Sequence, residues 1–430
     1  MAQSAEVAGD TRKTKSMASF TQSRLLPRSF SSLAWSNLAA QSAEQLSLAA
    51  APLIAVLALG AGPGEVGMLA AMQTLPFLLL SLPLGVLADR LPRRRLMLWS
   101  EGLRLSSLLA MLLALLCSAL TIGWLAVLGF VGAVGTVGFS VAAPGLVSSL
   151  VAREALASAN ARLELARSAA FAAGPAVAGA LVASADASAA FVLAAILSAA
   201  AIGLLLRLAG PAASSVSTPR RHPLREVAEG ALFVWRDTLL RPIMITGVIF
   251  NLSWFALQAA YVPYAIRTLG LGAGAVGATL ALYGAGMIVG ALATARVVAW
   301  LPLGRAIQVG PIAGVFAAAS LAATLVLPST WLAALCFFLL GAGPMIWTIT
   351  TTTLRQSMTP DGLLGRVSSV FLTANAGARP IGAALGGLVG AGWGESACLL
   401  AALVGFILQA MVILGSPVAS LRGLPAAATS

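Results

Sequence analysis

Charge is scarce in this chain. Only 9% of its 430 residues are Asp, Glu, Lys or Arg, where a soluble domain of this size carries about 25%, so a water-soluble globular protein is excluded. Histidine is nearly missing too. The single one, His222, falls in a central connecting stretch, which leaves no His-based metal site to build. The three cysteines, Cys117, Cys336 and Cys398, each lie inside an apolar run and read as small packing residues, with no disulfide framework or metal cluster. No Gly-Lys phosphate loop occurs, so ATP hydrolysis of that kind is set aside. Neither a cofactor nor an enzymatic activity is expected. The first thirty residues lack an apolar core followed by a small-residue cleavage site. No removable signal peptide is therefore expected, and the first span directs insertion.

What is abundant is apolar sequence. Hydrophobic residues make up 59% and the mean hydropathy is +0.94, the composition of an all-α membrane protein with many spans. About twenty apolar residues cross the roughly 30 Å of hydrocarbon. Segments of that size recur at about 33–60, 65–88, 95–118, 123–148, 161–183, 187–209, 242–268, 272–298, 304–327, 330–354, 366–390 and 394–416. That predicts twelve transmembrane helices. Short turns such as Gly60-Ala-Gly-Pro-Gly64 and Thr359-Pro-Asp-Gly362 separate them. The net charge of +12 reflects topology and not nucleic-acid binding, because the basic residues are scattered through short loops and form no stripe with interleaved aromatics. Positive charge stays on the cytoplasmic side. With both termini inside, the inner tails, loops and helix ends take up the Lys and Arg, and Arg267 alone falls on an outer helix end. Glu65, Asp186 and Glu395 occupy outer turns.

The one long connection falls at mid-chain. It opens with Gly210-Pro-Ala-Ala-Ser-Ser-Val-Ser-Thr-Pro219, a flexible composition. Behind it Leu224, Val227, Ala228, Ala231 and Val234 recur at helical spacing among Arg225, Glu226, Glu229 and Arg236, which predicts an amphipathic helix on the inner surface. The expected organisation is a disordered cytoplasmic tail over 1–30, a six-helix bundle over 31–209, a linker over 210–241, a second six-helix bundle over 242–418 and a tail over 419–430. An internal repeat supports two related halves. A shift of 205 brings Gly85-Val-Leu-Ala-Asp89 onto Gly290-Ala-Leu-Ala-Thr294 and Pro175 onto Pro380, whereas Val66-Gly67 matches Val276-Gly277 only at a shift of 210.

Between the second and third spans stands Gly85-Val-Leu-Ala-Asp89-Arg90-Leu-Pro92-Arg93-Arg94-Arg95, a water-side loop at the cytoplasmic ends of its helices. It resembles the loop signature of the major facilitator superfamily, G-x-L-a-D-r-x-G-r-k, at Gly85, Leu87, Ala88, Asp89, Arg90, Arg93 and Arg94, with Pro92 where the family usually has glycine. The fifth span contains Ala170-Phe-Ala-Ala-Gly174-Pro175-Ala-Val-Ala178-Gly179. This resembles the superfamily's antiporter signature, with alanine at two of its glycine positions, and in the family it goes with export. The resemblance covers about residues 31–418, and with Glu229-Gly230-Ala-Leu-Phe-Val-Trp-Arg236 the chain looks like the drug and siderophore exporter branch. It implies two bundles related by a parallel pseudo-repeat, a gate built on the 85–95 loop, and transport by alternating access. The alternative reading of Gly174, Pro175 and Gly179 is close helix packing by small residues.

Several residues stand out on physical grounds. Glu44 lies near mid-depth of the first span, where an ionisable group is a functional candidate. Asn37, Gln41 and Glu44 share one helical face with Gln45 beside it. A carboxyl group there can take up and release a proton. The other reading is a static ion pair. Arg379, next to Pro380 in the eleventh span, is at similar depth, and Glu44 is its candidate partner; a water-filled cavity or an anionic substrate group would serve equally. Glu101 with Arg104, and Arg162, Glu164 and Arg167, read as structural groups near the inner surface that join Asp89 in the gate. Asn251, Trp254 and Gln258 on the seventh span, and Trp347 on the tenth, are candidates for a cavity wall that suits an amphiphilic substrate. Thr348 and Thr350 to Thr353, which follow Trp347, either join that wall or bond their own helix backbone, and Tyr261 and Tyr264 read as an interfacial aromatic belt. The family's fourth-span arginine is absent here, which leaves Gly129, Gly132, Gly135 and Gly138 in its place.

The expectation is a monomeric proton-coupled exporter of a small organic compound, a drug, siderophore or metabolite, in the inner membrane, with lipid and protons as its other partners. The alternatives are a solute uptake permease and a non-transporting scaffold or sensor.

Overall fold

The computed structural model describes residues 27–151, 155–208 and 223–425. The tail expected over 1–30 lies almost wholly outside this set, as do the Gly210–Pro219 linker and His222. Among the described residues the extended elements are all helices. In order they are α1 (Arg28–Leu57), α2 (Pro63–Arg90), α3 (Arg93–Leu116), α4 (Ile122–Leu150), α5 (Leu156–Ser184), α6 (Ala187–Leu206), α7 (Pro223–Arg236), α8 (Leu240–Arg267), α9 (Ala273–Trp300), α10 (Leu303–Ala323), α11 (Thr330–Met358) and α12 (Asp361–Leu414). Within α12 one residue, Gly394, takes a left-handed φ of 82° and folds the rod back on itself. Residues 361–393 and 395–414 are thus two spans joined by a single glycine, the one residue type with no Cβ to oppose that conformation. Counted so, twelve membrane helices plus the short α7 match the twelve apolar segments of the sequence.

Helix boundaries follow local chemistry. Pro63 opens α2, and the backbone N–H of Gly62 donates to the Glu65 carboxylate at 2.8 Å. Thr121 caps α4 by accepting from the N–H of Trp124. Pro92, the departure from the family's glycine, sits immediately before α3 with φ of −56°, a value that proline fixes. Among the described residues ten stretches are long and apolar enough to cross a membrane, with Leu363–Leu414 counted once. The first helix, α1, falls short because Asn37, Gln41, Glu44 and Gln45 dilute its apolar sequence.

In the N-terminal half α1 packs on α5 and α6, α2 on α4, and α3 on α4 and α6. In the C-terminal half α8 packs on α12, α9 on α11, and α10 on α11 and α12. The halves meet along two seams, α2 on α12 and α5 on α9. The repeat register is now clear. Helices α2 and α9 are both 28 residues long with ends 210 positions apart, so the Val66-Gly67 match was the true one for this pair. The 205 shift at Gly85 is off by more than a helical turn, whereas at Pro175 and Pro380 it holds, since α5 and α12 begin 205 positions apart.

One end of the bundle carries the arginine-bearing turns and the other is nearly free of charge. At the charge-poor end a single apolar core joins both halves, with Ile54, Leu69 and Phe191 in the same cluster as Tyr264, Leu321 and Phe337. At the arginine-rich end the core splits in two. One part, around Phe30, Met97 and Phe139, belongs to the N-terminal half, and the other, around Ile307, Leu354 and Ile413, to the C-terminal half. The halves are therefore fused at one end and separately packed at the other. Val234 of α7 is buried in the C-terminal core while Leu232 and Trp235 face outward, and Arg366 donates to Glu229 at 2.6 Å. The amphipathic helix is thereby fastened to the C-terminal half.

The aromatic belt is not where the sequence placed it. Tyr261 and Tyr264 are fully buried, hydrogen-bonded to Thr279 at 2.5 Å and Thr324 at 2.8 Å. A tyrosine this apolar in its surroundings keeps a bonded hydroxyl, and both threonines are within reach across neighbouring helices. Exposed tryptophans take the belt instead, with Trp99 and Trp300 at one end and Trp331 and Trp393 at the other.

Candidate functional site

Small residues bring the helices around the site together. A methyl group on Gly67 of α2 would collide with the backbone of Gly387 in α12, and one on Gly179 of α5 with Gly277 of α9. Gly174 lies against Gln45 of α1, and Gly277 against the carbonyl of Pro175. The 174–179 motif therefore forms the α1–α5 contact and half of one seam, as close helix packing requires. Above these seams Arg267, among the described residues the one basic side chain of the charge-poor end, reaches across. Its guanidinium donates to the carbonyls of Gly60 at 2.9 Å and Ala61 at 2.7 Å, and lies 3.7 Å from the Glu395 carboxylate.

The arginine-rich loop acts within one half. Arg93 donates to the carbonyl of Gly145 at 2.6 Å, and Arg94 to those of Leu205 and Leu206 at 2.8 and 2.7 Å. Arg94 thus satisfies the last carbonyls of α6, which have no partner within their own helix. Gly85 lies in α2, and Asp89 and Arg90 are its last residues. The gating role expected of Asp89 and Arg90 rests on side chains outside the described set.

Between the halves lie two compartments that share the wall Phe171, Trp254, Phe255, Tyr283 and Arg379. The first, about 280 Å³, faces the charge-poor end and is lined by Glu44, Gln45, Arg104, Gln258 and Tyr261 among others. The second, about 450 Å³, lies in the C-terminal half toward the arginine-rich end. Asn251, Trp347, Thr351, Arg355 and Asn375 line it. Of the cavity candidates, Gln45, Trp254 and Gln258 line the first, and Asn251, Trp254 and Trp347 the second. Asn37 and Gln41 line neither, because they sit two turns and one turn too far toward the arginine-rich end of α1. Both readings of the threonines hold in part: Thr348, Thr350, Thr351 and Thr353 each donate to a carbonyl of their own helix, and Thr348, Thr351 and Thr352 line the second compartment.

Glu44 does not pair with Arg379. It lies 3.8 Å from the guanidinium of Arg104. That group is held more firmly by Glu101 at 2.6 Å, by the Ala40 carbonyl at 3.1 Å and by Thr136 of α4 at 2.8 Å. Ser198 of α6 completes the network by donating to Glu101 at 2.9 Å. Glu101 and Arg104 are 0% and 5% exposed, so they are not groups of the inner surface. They form a buried cluster in which two carboxylates share one arginine. The sequence missed it because Glu101 and Arg104 stand three apart in the first half of α3 and read as a local surface pair, while nothing in α3 itself shows how closely α1, α4 and α6 enclose them. A signal was present in α4, where Gly129, Gly132 and Gly135 recur every third residue. A side chain at Gly135 would strike the backbone of Ser100, and that close approach is what lets Arg104 of α3 present its charge to α4, which has no arginine of its own.

Arg379 has a different environment. Its Nε donates to Asn251 at 3.3 Å, Asn251 donates to Asn375 at 2.9 Å, and the guanidinium lies 5.9 Å from the ring centres of Phe77 and Phe255. Arg167 is paired with Glu164 one turn earlier on α5. Trp254 and Tyr283 stack at 5.1 Å, giving the shared wall a flat aromatic surface.

The chain matches the Major Facilitator Superfamily over residues 33–383. It is 28% identical over 313 residues to the enterobactin exporter EntS of Escherichia coli O1:K1 / APEC, covering 71% of this chain and 72% of that protein. Its fold is similar to the nucleoside transporter NupG (D323A mutant), with a TM-score of 0.74 at 10% identity over 90% of this chain and 98% of NupG. It is likewise similar to a bacterial homologue of the iron transporter ferroportin in its inward-facing state, with a TM-score of 0.72 at 18% identity over 91% and 99%. With twelve helices in two paired halves and a family match over most of its length, the chain belongs to the major facilitator superfamily of membrane transporters.

Proposed function

We propose that the protein is a proton-driven exporter of an amphiphilic organic compound, working by alternating access in the inner membrane with both termini and the arginine-rich end in the cytoplasm. The observation that carries this reading is Glu44. Of the two carboxylates that share Arg104, Glu101 is the firmly bonded one and its side chain is wholly buried, whereas Glu44 is loosely held and 16% exposed toward the first compartment. One guanidinium balances one acid, and the acid left over is the one that can exchange a proton with the cavity. The likeness to enterobactin exporters and the 174–179 signature support the outward direction. The positive-inside asymmetry supports the orientation. The fused charge-poor end and the separate cores at the other end support an inward-facing state.

Purified protein in liposomes tests this, with enterobactin, the compound named for the relatives, as the transported probe. Glu44→Gln keeps the shape of the side chain and removes its titration. Binding is expected to persist while accumulation driven by an imposed pH gradient stops. Accumulation at the wild-type rate in Glu44→Gln would eliminate the proton-carrier role.

A further inference from the structure

We infer that the 450 Å³ compartment is an oxyanion site, and that the carried compound is an amphiphilic organic anion whose charged group is received by the arginines that line it. The inference rests on the reading of the two compartments as the transport path.

Three arginines, Arg167, Arg355 and Arg379, line this compartment, and no Asp or Glu does. Glu164 neutralises Arg167 from within α5. Among the described residues no carboxylate lies within ion-pair distance of Arg355 or Arg379. Arg355 stands in the last turn of α11 at the arginine-rich end, whereas Arg379 is deep in its span, where a guanidinium without an ion-pair partner is unfavourable unless a group of opposite charge joins it.

A second observation points the same way. Among the described residues three buried side-chain atoms lack a hydrogen-bond partner: Thr246 Oγ1, Arg355 Nε and Gln409 Nε2. All three residues line this one compartment, and all three atoms can donate. Buried polar groups are otherwise almost always paired. Arg355 Nε and Gln409 Nε2 are donors and the Thr246 hydroxyl can donate as well as accept, so this wall has unspent donors to offer an oxygen anion, whose lone pairs accept several bonds at once.

The arginines are also held in place without using up their donors. Arg355 lies over the Phe371 ring at 4.7 Å. The Asn251–Asn375 chain takes only the Nε of Arg379 and leaves its terminal nitrogens free to bond a ligand. The stacked Trp254 and Tyr283, on the wall shared with the first compartment, offer an apolar surface beside these charges. The fitting ligand therefore combines a carboxylate, phenolate or phosphate group with a flat or apolar body.

Equilibrium binding in nanodiscs of phosphatidylcholine, with no gradient imposed, tests this using 1-naphthoate, 1-naphthamide and 1-naphthylmethylammonium. These share a skeleton and differ in charge. Naphthoate is expected to bind saturably and about tenfold or more tightly than the amide, with no saturable binding of the cation. Arg355→Gln should remove that preference, lowering naphthoate affinity to about that of the amide. Arg355→Lys, which keeps the charge, guards against misfolding and should retain part of it. Absence of saturable naphthoate binding, equal affinity for the amide, preference for the cation, or unchanged naphthoate binding in Arg355→Gln would each overturn the proposal. Adding phosphatidylglycerol to the discs separates the two sources of such an anion. Loss of naphthoate binding there would make the site a lipid headgroup site and overturn a carried anion. Because no gradient is present, anion-selective binding without proton-driven flux would refute the exporter reading alone, and flux without anion selectivity would refute this one alone.

Discussion

Arg104 is the residue on which the N-terminal half turns. It alone stands between Glu44 and Glu101, and it bonds α1, α3 and α4 at once. Removing one partner of a buried ionic cluster leaves uncompensated charge, which costs about 3–5 kcal/mol. Arg104→Ala is therefore expected to lower the thermal unfolding midpoint in detergent well below that of Arg104→Lys. Equal midpoints for the two variants would show that the cluster contributes little. At this scale the sequence was only partly legible. The mid-depth positions of Glu44 and Arg379 could be counted from the span boundaries, but their partners could not. A partner depends on which helix lies alongside and how closely, and here that is set by glycines on α4 that make no contact with Glu44. Tyr261 and Tyr264 misled for the same reason, since their height along α8 suits an interfacial belt while their facing directions put them in the core.

At the scale of elements the boundaries were legible to within a few residues, because proline, glycine and the change from apolar to charged sequence fix where a span stops. The repeat was harder to read. Short matches among small residues arise by chance in a chain with 43 glycines, and only the helix ends distinguish a shift of 210 from one of 205. The seams that follow from the repeat make a sharp prediction. A Cβ built on Gly274 of α9 would stand 3.8 Å from the Cβ of Ala183 in α5, about the spacing across a disulfide. The double variant Ala183→Cys/Gly274→Cys should cross-link on mild oxidation, arrest transport, and recover it on reduction. Transport that continues through a fully formed cross-link would mean that the α5–α9 seam does not open during the cycle. Cys336 and Cys398 are buried and should not compete, whereas Cys117, read from the sequence as a packing residue, is exposed at the end of α3 and is replaced by Ser in this background.

For the whole molecule, the twelve-helix fold was legible because hydropathy and the asymmetry of positive charge are both one-dimensional signals. The electrostatic division of the cavity was not, since it arises only when α5, α8, α11 and α12 converge. The same holds for the closed end. In the sequence Arg267 is merely the exception to a charge rule, whereas in the structure it is the cross-half tie at that end. Arg267→Gln should move the population toward states open at the charge-poor end. Residues near Gly60 would then become more reactive to a membrane-impermeant thiol reagent when replaced by cysteine, by several-fold if the tie is worth about 1–2 kcal/mol. Unchanged reactivity would remove Arg267 from the closing mechanism. The nature of its acceptors has a further consequence for the history of the family. Arg267 grips main-chain carbonyls, which every residue type supplies, so substitutions in the 60–61 turn leave no compensating change at 267. The tie can persist across diverging relatives with no covarying pair of positions to reveal it.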